Sequence, residues 1–408
     1  MMLALPAIPI RQRLDKGLLL ALLALMAIGM AFVLSATRTN DQYATTELLR
    51  QPYFKQIIFY GVGLVAAALL CTRDYHQVAR FSFVAYWASI AMLVFVLVPG
   101  LGSMRYGARR WFDLGFIQFQ PSEVAKFAFL LAMAQFLSRP QEELRQPGVL
   151  LKALGLVALP FCLIMLEPDL GSALMFILPA LAMLYVAGIP ASFLKKLLGG
   201  AACVVAAILI YVFYVPQSWK PIDLHDYQKR RLMVYFGVDY ATQYATPNAT
   251  PAEIRRIRAM QSRDSYNVAQ AMISVGAGGL TGKGWSQGIQ NSQGYLPRGV
   301  AHNDFIFSVI AEESGFLGSA LVIGLYTTIL LIGIRVAGQA RDRLGRLLAV
   351  GVVALLFGHV FVNIGMNIRL VPVTGVPLPL LSYGGTSVVC SLLAIGLLQS
   401  IQIHQRSN

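Results

Sequence analysis

Long apolar runs, separated by short polar connections, occupy most of the chain. Each run is roughly 20 residues long, which is enough for a helix to cross about 30 Å of hydrocarbon. Strands of a membrane barrel would alternate apolar and polar residues, and these runs do not. The pattern therefore predicts an all-α, polytopic membrane protein with about ten transmembrane helices. The runs are 17–36, 54–71, 80–99, 121–137, 149–166, 170–189, 193–215, 316–335, 346–366 and 378–401.

One connection, 216–315, is much longer than the others. We expect it to form a large extracytoplasmic loop between the seventh and eighth spans of a single membrane domain that covers 1–408. Within it, 266–275 has the pattern of a helix lying at the membrane interface, and the glycine-rich run 276–284 predicts tight turns. This glycine-rich run lacks the GxxxxGK[ST] spacing of a phosphate-binding P-loop.

Composition agrees with a membrane protein and indicates its orientation. Only 13% of the residues are charged, whereas a soluble chain would carry about 25%. A net charge of +14 would suggest a nucleic-acid partner for a soluble protein. Here the basic residues lie in connections, where they set topology and meet membrane lipids, so we expect no nucleic acid. Fifteen basic residues fall in short connections on one side and seven on the other, which predicts cytoplasmic termini.

The four cysteines, Cys71, Cys162, Cys203 and Cys390, lie in or at the end of apolar runs without a CxxC spacing. We interpret them as small apolar packing residues rather than as disulfides or metal ligands. The chain has no signature of a cleavable signal peptide, and we expect the first run to remain as a membrane anchor.

The strongest single candidate for chemistry is Asp304, which precedes a span. A carboxylate there can accept a proton from a hydroxyl group if burial tunes its pKa. The alternative is an ordinary helix N-cap, since Asn303 and Asp304 both start helices well. Glu312 and Glu313 follow on a segment of membrane-like composition. They either face a cavity or a partner, or belong to an interfacial helix with the true span beginning at Phe316.

A second cluster combines basic and aromatic residues ahead of the fourth span. Arg109, Arg110 and Trp111 run against the positive-inside trend, which favours a cationic mouth for an anionic substrate because guanidinium groups suit phosphate. Glu123 and Lys126 are three residues apart and can pair on one helix face. The alternative is that these residues only start a helix and anchor it at the membrane interface.

Two further segments place polar or irregular sequence between spans. Glu167 and Asp169 lie in a very short connection, where they form either a tight hairpin with solvated acids or an acidic element that lines a cavity. The segment 370–387 is rich in Pro and Gly, which implies irregular backbone, tolerated in a membrane only where protein or water satisfies it. It is either a structural re-entrant loop or part of a site.

Taken together, these segments resemble the SEDS (shape, elongation, division and sporulation) family, which includes RodA and FtsW, and the VPVTGVPLPL stretch is more similar to RodA. The resemblance covers nearly the whole chain, with six motifs in family order. They are GARRWFDLGFIQFQPSEVAKF, LEPDLGSA, DYQKRRLMVYF, YNVAQAMISVGAGGLTGKGWSQGIQNS, HNDFIFSVIAEESGF and GMNIRLVPVTGVPLPLLSYGGTS.

The resemblance implies a peptidoglycan glycosyltransferase of the bacterial inner membrane that polymerises lipid II at the outer face, with a role in cell elongation and shape. The donor would be the undecaprenyl-pyrophosphate-linked glycan, the attacking group the 4-hydroxyl of the GlcNAc of lipid II, and the anomeric centre would invert. The family's essential Asp maps onto Asp304, as general base. The implied substrate-binding residues are Arg109, Arg110, Trp111, Glu123, Lys126, Glu167, Asp169, His302 and Ser382.

The implied protein partner is a class B penicillin-binding protein, which cross-links the new strand. No cofactor is certain, and a divalent cation stays open. The chain also departs from the family pattern: Asn303 replaces a usual Thr, 298–301 replaces a shorter stretch with a Glu, Arg369 replaces a usually small residue, and the linker after Tyr240 looks like an insertion. Arg369 either contacts phosphate or extends outward to water.

Two other functions compete with the glycosyltransferase. A flippase or transporter for a lipid-linked precursor also needs buried charge and broken helices, but would concentrate them near the midplane within related halves. Here the charges gather toward the outer ends of the spans. A non-catalytic scaffold for cell-wall assembly would tolerate Asn at position 304.

Overall fold

The computed structural model describes residues 14–38, 51–105, 108–115, 117–214, 226–244, 250–296 and 300–404. The beginning of the long loop, part of the linker after Tyr240 and half of the departure at 298–301 therefore lie outside the described residues.

Each of the ten predicted runs contains helix in the described structure, although the tenth is irregular before Gly385, and the all-α class is confirmed. The helices, in chain order, are α1 (Lys16–Arg38), α2 (Pro52–Thr72), α3 (Tyr75–Arg80), α4 (Ser82–Leu97), α5 (Pro121–Leu137), α6 (Gln141–Leu144), α7 (Pro147–Leu166), α8 (Leu170–Leu174), α9 (Ile177–Val186), α10 (Ala191–Tyr214), α11 (Asp226–Phe236), α12 (Tyr240–Tyr244), α13 (Pro251–Ala277), α14 (Ile289–Ser292), α15 (Ile306–Gln339), α16 (Arg343–Asn367) and α17 (Gly385–His404).

Seven of these helices, within the part of the chain that is described, are long and apolar enough to cross a membrane: α1, α2, α7, α10, α15, α16 and α17. The remaining predicted runs correspond to α4, α5 and the pair α8–α9, which are shorter. The sixth run is divided in two near Met175, where the α-helix gives way to a turn. The protein is therefore embedded in the membrane, and the number of ten spans stays a prediction.

The centre of the bundle is formed by α5, α16 and α17. Most side chains of α5 are buried, and α17 packs along α2 while α16 packs against α9 and α15. Because α5 is surrounded by protein, it needs no amphipathic pattern. By contrast, α10 exposes almost all of its apolar side chains, as expected of a peripheral helix whose solvent is lipid.

A small antiparallel sheet, which the sequence did not indicate, lies between α4 and α5. Its strands are β1 (Ser103–Arg105), β2 (Ala108–Asp113) and β3 (Gln118–Phe119), in the order β1-β2-β3. Trp111 pairs with Ser103 and Phe112 pairs with Phe119. The sheet fixes the register of the basic cluster, and the next helix starts with Pro121 in its first turn, as predicted.

The helix α15 is broken at Gly315, whose φ of 67° and ψ of −161° are not helical. A break leaves backbone groups without intrahelical partners, and these must be satisfied inside a membrane. The glycine-rich run supplies the partners: Lys283 N donates to Glu312 O at 3.0 Å, and Phe316 N donates to Gly279 O at 2.8 Å. The predicted tight turns are confirmed by the positive φ angles of this run.

The carboxylates of Glu312 and Glu313 are buried and face protein partners rather than a cavity. Lys283 Nζ lies 2.7 Å from Glu312 Oε1. Ser35 donates to Glu313 Oε1 at 2.6 Å, and Ser286 N donates to Glu313 Oε2 at 2.8 Å. The two acids therefore fasten the segment after the glycine-rich run to α15 and α1. The break divides α15 into a helical piece before Gly315 and a second piece from Phe316. This division agrees with the predicted alternative that the long span begins at Phe316.

The amphipathic piece predicted at 266–275 is the end of a much longer helix, α13. Thr250 caps it with a hydrogen bond from Glu253 N, and the Glu253 side chain accepts from Thr250 N. This reciprocal capping box satisfies two free N–H groups. The basic residues between Pro251 and Arg263 are thus continuous with the interfacial segment in one helix.

Candidate functional site

A cavity of about 570 Å³ lies where four connections meet at one end of the bundle. These connections follow the third, fifth, seventh and ninth apolar runs, so alternating spans place them all at the same end. The volume is in the usual range for a ligand site. Five arginines and three aspartates supply the charged lining among the described residues: Arg110, Asp169, Arg230, Arg231, Arg263, Asp264, Asp304 and Arg369.

Asp304 lines this cavity just before α15 begins. Two buried amides of α16 hold its backbone, because Asn363 Nδ2 and Asn367 Nδ2 each donate to Asp304 O at 3.1 Å. The cap of α15 is Phe305, and no side chain caps that helix. The alternative interpretation of Asp304 as an ordinary helix cap is therefore not supported, and its carboxylate faces the cavity.

Electrostatics makes Asp304 a suitable proton acceptor near neutral pH. Burial raises the pKa of the Asp304 carboxyl to about 6, with opposing contributions from Arg231 and Arg110, which lower it, and a further rise from Asp169. Burial also lowers the pKa of Arg231 to about 10, so its guanidinium stays charged at neutral pH. A general base works best when its pKa lies near the operating pH.

Arg110 and Asp169 form the wall opposite the long loop. Arg110 Nε donates to Glu167 O at 2.9 Å, its Nη2 donates to Pro168 O, and its Nη1 lies 4.0 Å from Asp169 Oδ2. Asp169 also caps α8, accepting from Ser172 N at 3.1 Å. The connection is thus a tight hairpin, but both of its acids are buried rather than solvated, and Asp169 lines the cavity.

The irregular segment predicted at 370–387 forms another wall, and protein groups satisfy its backbone. Arg231 Nη1 donates to Val373 O at 2.8 Å, and Tyr235 donates to Leu370 O at 2.9 Å. The hydroxyl of Tyr326 donates to Pro379 O. The segment is therefore structural and also contributes to the site, since several of its residues line the cavity.

Six residues predicted to contact substrate are not among the described lining residues: Arg109, Glu123, Lys126, Glu167, His302 and Ser382. Neighbouring strand residues point to opposite faces, and Arg110 already points toward the hairpin. The predicted Glu123–Lys126 pair is confirmed, with Lys126 Nζ 2.6 Å from Glu123 Oε1. It is buried in the bundle, where Lys126 Nζ also lies 2.9 Å from His359 Nε2. Direct substrate contact is not supported for this pair.

The site is also supported by residues that lie next to the cavity but do not line it: Glu167, His302 and Ser382. Neither carboxyl oxygen of the buried Glu167 has a described hydrogen-bond partner, and burial, reinforced by the Asp169 charge, raises its pKa to about 9. Burial lowers the pKa of His302 to about 4, so both side chains are neutral at pH 7. Ser382 donates to Asn303 O at 2.6 Å, which fixes the loop carrying Asp304.

The sequence interpretation did not assign six cavity residues of the long loop and the ninth connection. Arg230 and Arg231 belong to the quoted DYQKRRLMVYF stretch, which carried a signal: a basic run in a loop expected to lie outside. Arg369 was noted as a departure from the family pattern that either contacts phosphate or extends outward to water. The others lie on α13, which was not recognised as one helix. These residues are Arg230, Arg231, Arg263, Asp264, Asn267 and Arg369.

Metal and disulfide chemistry have little support in the described residues. No group of three or more His, Cys, Asp or Glu side chains in that part of the chain could hold a metal ion. All four cysteines are free thiols in the described structure; Cys390 is buried, as a packing residue would be, while Cys162 and Cys203 are exposed on apolar helices.

The fold is a helical membrane bundle, and its cavity combines several arginines with Asp304, a carboxylate whose pKa is raised by burial. These two features together define the class of protein. The family model of FtsW, RodA and SpoVE cell cycle proteins matches residues 16–407. The chain therefore belongs to this family. A relative from Escherichia coli K12, the peptidoglycan glycosyltransferase MrdB, is 33% identical over 398 residues, covering 97% of this chain and 95% of the relative. Stage V sporulation protein E of Bacillus subtilis is 32% identical, with 96% and 98% of the two chains covered.

Solved structures have the same fold. A chain from a peptidoglycan synthase complex that coordinates polymerization and crosslinking aligns with a TM-score of 0.74 and 27% identity, covering 97% of this chain and 99% of that one. The rod shape determining protein RodA of Thermus thermophilus aligns with a TM-score of 0.62 and 26% identity, with 97% and 98% covered.

Proposed function

We propose that this protein is a peptidoglycan glycosyltransferase that polymerises lipid II, and that Asp304 is its general base. The 4-hydroxyl oxygen of the acceptor GlcNAc attacks the anomeric carbon of the donor glycan. The bond from that carbon to the pyrophosphate oxygen breaks, and undecaprenyl pyrophosphate leaves with the bonding electrons. Asp304 takes the hydroxyl proton, and the anomeric centre inverts.

The arginines nearest to Asp304 have the complementary role. Negative charge grows on the pyrophosphate as the bond breaks, and preorganised cations at that position stabilise the transition state. Arg231 and Arg110 are the cations whose charges act on Asp304, and guanidinium groups bind phosphate oxygens in a bidentate manner. Trp111, at the cavity wall, offers an aromatic face to a sugar ring.

The observation that carries this proposal is the position of Asp304 in one cavity with Arg110 and Arg231. A transporter would need its broken helix to open onto the substrate site. The break in α15 is instead closed by the glycine-rich run. The relatives named as glycosyltransferases support the same reaction class.

We also propose the cellular setting. The excess of basic residues on one side supports cytoplasmic termini and a cavity at the outer face of the bacterial inner membrane. The likeness to a chain of a synthase complex supports a partnership with a class B penicillin-binding protein. In this setting the two proteins would build the wall that determines cell shape, and membrane lipids would surround the bundle.

Polymerisation of labelled lipid II by the purified protein, together with its transpeptidase partner, tests the proposal. We expect glycan strands from the native protein, and a fall in rate of about 10²–10⁴-fold for Asp304→Asn, which removes general-base catalysis. Asp239→Asn is the matched control, because Asp239 belongs to the same long loop and pairs with Arg258 outside the cavity lining.

Three outcomes would contradict the proposal. Normal polymerisation by Asp304→Asn would remove the base assignment. Movement of lipid II between leaflets without any polymer would favour a transporter. Absence of both activities, with full support of the partner's transpeptidase, would favour a scaffold.

A further inference from the structure

The proposed reaction requires two pyrophosphate groups to be bound at once, at different distances from Asp304. The donor pyrophosphate is attached directly to the carbon under attack. The acceptor pyrophosphate is at the opposite end of the disaccharide from the attacking hydroxyl. One anion therefore lies beside the base, whereas the other lies about two sugar rings away.

The arginines of the cavity also form two groups, one whose charges act on Asp304 and one whose charges do not. The charges of Arg231 and Arg110 act on Asp304 and on one another, and both side chains are half-buried. Arg263 and Arg369 line the same cavity but are exposed. Neither is among the groups whose charge acts on Asp304. They mark an outer part of the cavity, toward its rim.

The backbone and one hydrogen bond fix Arg369 in this outer position. Its φ of 58° is in the left-handed region, which is costly for a residue with a Cβ and is held only where the surroundings enforce it. Its Nη2 donates to Val234 O at 3.1 Å, near the end of α11. A guanidinium has five N–H donors, so a single bond to a carbonyl orients the group and leaves donors for a ligand.

The charge of Arg263 is not cancelled by its neighbour Asp264. The Asp264 carboxylate is occupied, because Arg230 Nε lies 3.4 Å from its Oδ2 and Tyr240 donates to the same oxygen at 3.1 Å. Asn267, one helical turn after Arg263, lines the cavity as well and adds an amide donor. The α13 face and Arg369 thus present cations and neutral donors to the same space.

We propose that Arg263, Asn267 and Arg369 form a second diphosphate subsite, which binds the pyrophosphate of the acceptor lipid II. Arg110 and Arg231 bind that of the donor. This assignment rests on the proposed function, and it gives Arg369, which the family pattern does not predict, a role in holding substrate.

Binding of lipid II to the Asp304→Asn protein, which does not turn over, tests the inference. Native mass spectrometry of this variant in detergent should show two bound lipid II molecules. Adding Arg263→Gln and Arg369→Gln should remove one of them, with a loss of affinity of about tenfold or more at that subsite. The matched control adds Arg255→Gln and Arg256→Gln, which remove the same charge from exposed positions of α13 outside the cavity lining, and should leave two.

The outcomes separate this inference from the proposed function. If Asp304→Asn binds no lipid II, the proposed function fails. If the arginine variant keeps both molecules, or loses both while melting at the same temperature as the control, the second subsite is wrong and the proposed function stands. Arg263→Gln alone changes one exposed helix residue without disturbing the Val234 contact, and should already weaken the second binding event.

Discussion

The backbone of Asp304 is held in place by neighbours that are themselves uncharged. Asn363 and Asn367 bind its backbone oxygen. A Cβ on Gly375, whose φ is 74°, would lie 3.5 Å from Asp304 Oδ2, so the absence of a side chain there leaves the carboxylate open to a ligand. Positioning by amides leaves the charge of the base free to respond to the cavity.

The pH dependence of the proposed reaction follows from this carboxyl. Its pKa is raised to about 6, and a general base acts in its ionised form. We expect kcat/KM for lipid II to be level above that pH and to fall about tenfold per unit below it. A rate profile from about pH 5 to pH 8 measures this.

Arg231→Gln tests whether the pKa of Asp304 sets the pH profile. Arg231 lowers the pKa of Asp304, so its removal should move the acidic limb to higher pH in addition to reducing the rate. A profile that is level through pH 6 in the native protein would show that ionisation of Asp304 does not control the reaction.

At the scale of single residues, the sequence predicts which side chains pair better than it predicts where in the fold the pair lies. The spacing of Glu123 and Lys126 predicted their ion pair, because residues three apart share a helix face. It could not show that α5 lies in the centre of the bundle, where His359 from a distant helix completes the cluster. Partners that are far apart in sequence decide whether a charge meets a substrate or another side chain.

Among the elements, the interruption of α15 depends most strictly on residue type. A Cβ on Gly315 would come within 2.3 Å of Gly282 N, and a Cβ on Gly282 within 2.2 Å of Glu313 O. Both glycines also have positive φ angles. The atoms that a Cβ would overlap belong to the backbone, so no flexible side chain can move aside to make room.

We expect Gly315→Ala to destabilise the protein by more than about 3 kcal/mol, because the new methyl group overlaps backbone and the residue is held at positive φ. Thermal melting of the detergent-solubilised protein, with the yield of folded material, measures the effect. Gly324→Ala on the same helix is the control, since nothing lies within 4 Å of a Cβ there. Equal melting temperatures for the two variants would contradict the strict requirement for glycine.

Elements with strong local signals were predicted, and those set by distant pairing were not. The apolar runs gave the helices because a span must be about 20 apolar residues. The sequence T-P-A-E at Thr250–Glu253 is a capping box that a local interpretation could have used. The small sheet has strands of two to six residues, and such short strands exist only because their partners and the neighbouring helices are present.

In the whole molecule, the site is assembled from connections that are up to 277 positions apart, from Arg110 to Ser387. Sequence order and the alternation of spans predicted that these connections share one end of the bundle. They did not predict that α11 and α13 bring further arginines over the cavity, since nothing local fixes where two loop helices dock. The shared end was predictable, and the composition of the cavity was not.

The orientation of the whole bundle is testable by labelling. The basic connections predict that α13 is outside and the α15–α16 connection inside. Arg256→Cys should react with a membrane-impermeant maleimide in intact cells, and Arg341→Cys only after the membrane is opened. Both positions are exposed in the structure. The reverse pattern would place the cavity in the cytoplasm and contradict the proposed function.

The hydrogen bond from Ser35 to Glu313 has a consequence for biosynthesis. Its partners are 278 residues apart, so the first helix is inserted long before the acid that binds it has been translated. A charged residue at membrane depth costs about 2.5–3.5 kcal/mol on insertion scales. Both partners of the two acids, Ser35 and Lys283, are already present when Glu312 and Glu313 are translated, and pairing with them offsets that cost. The contact between α1 and α15 therefore closes only after Glu313 has been translated, and a chain truncated before Glu312 leaves Ser35 without this partner.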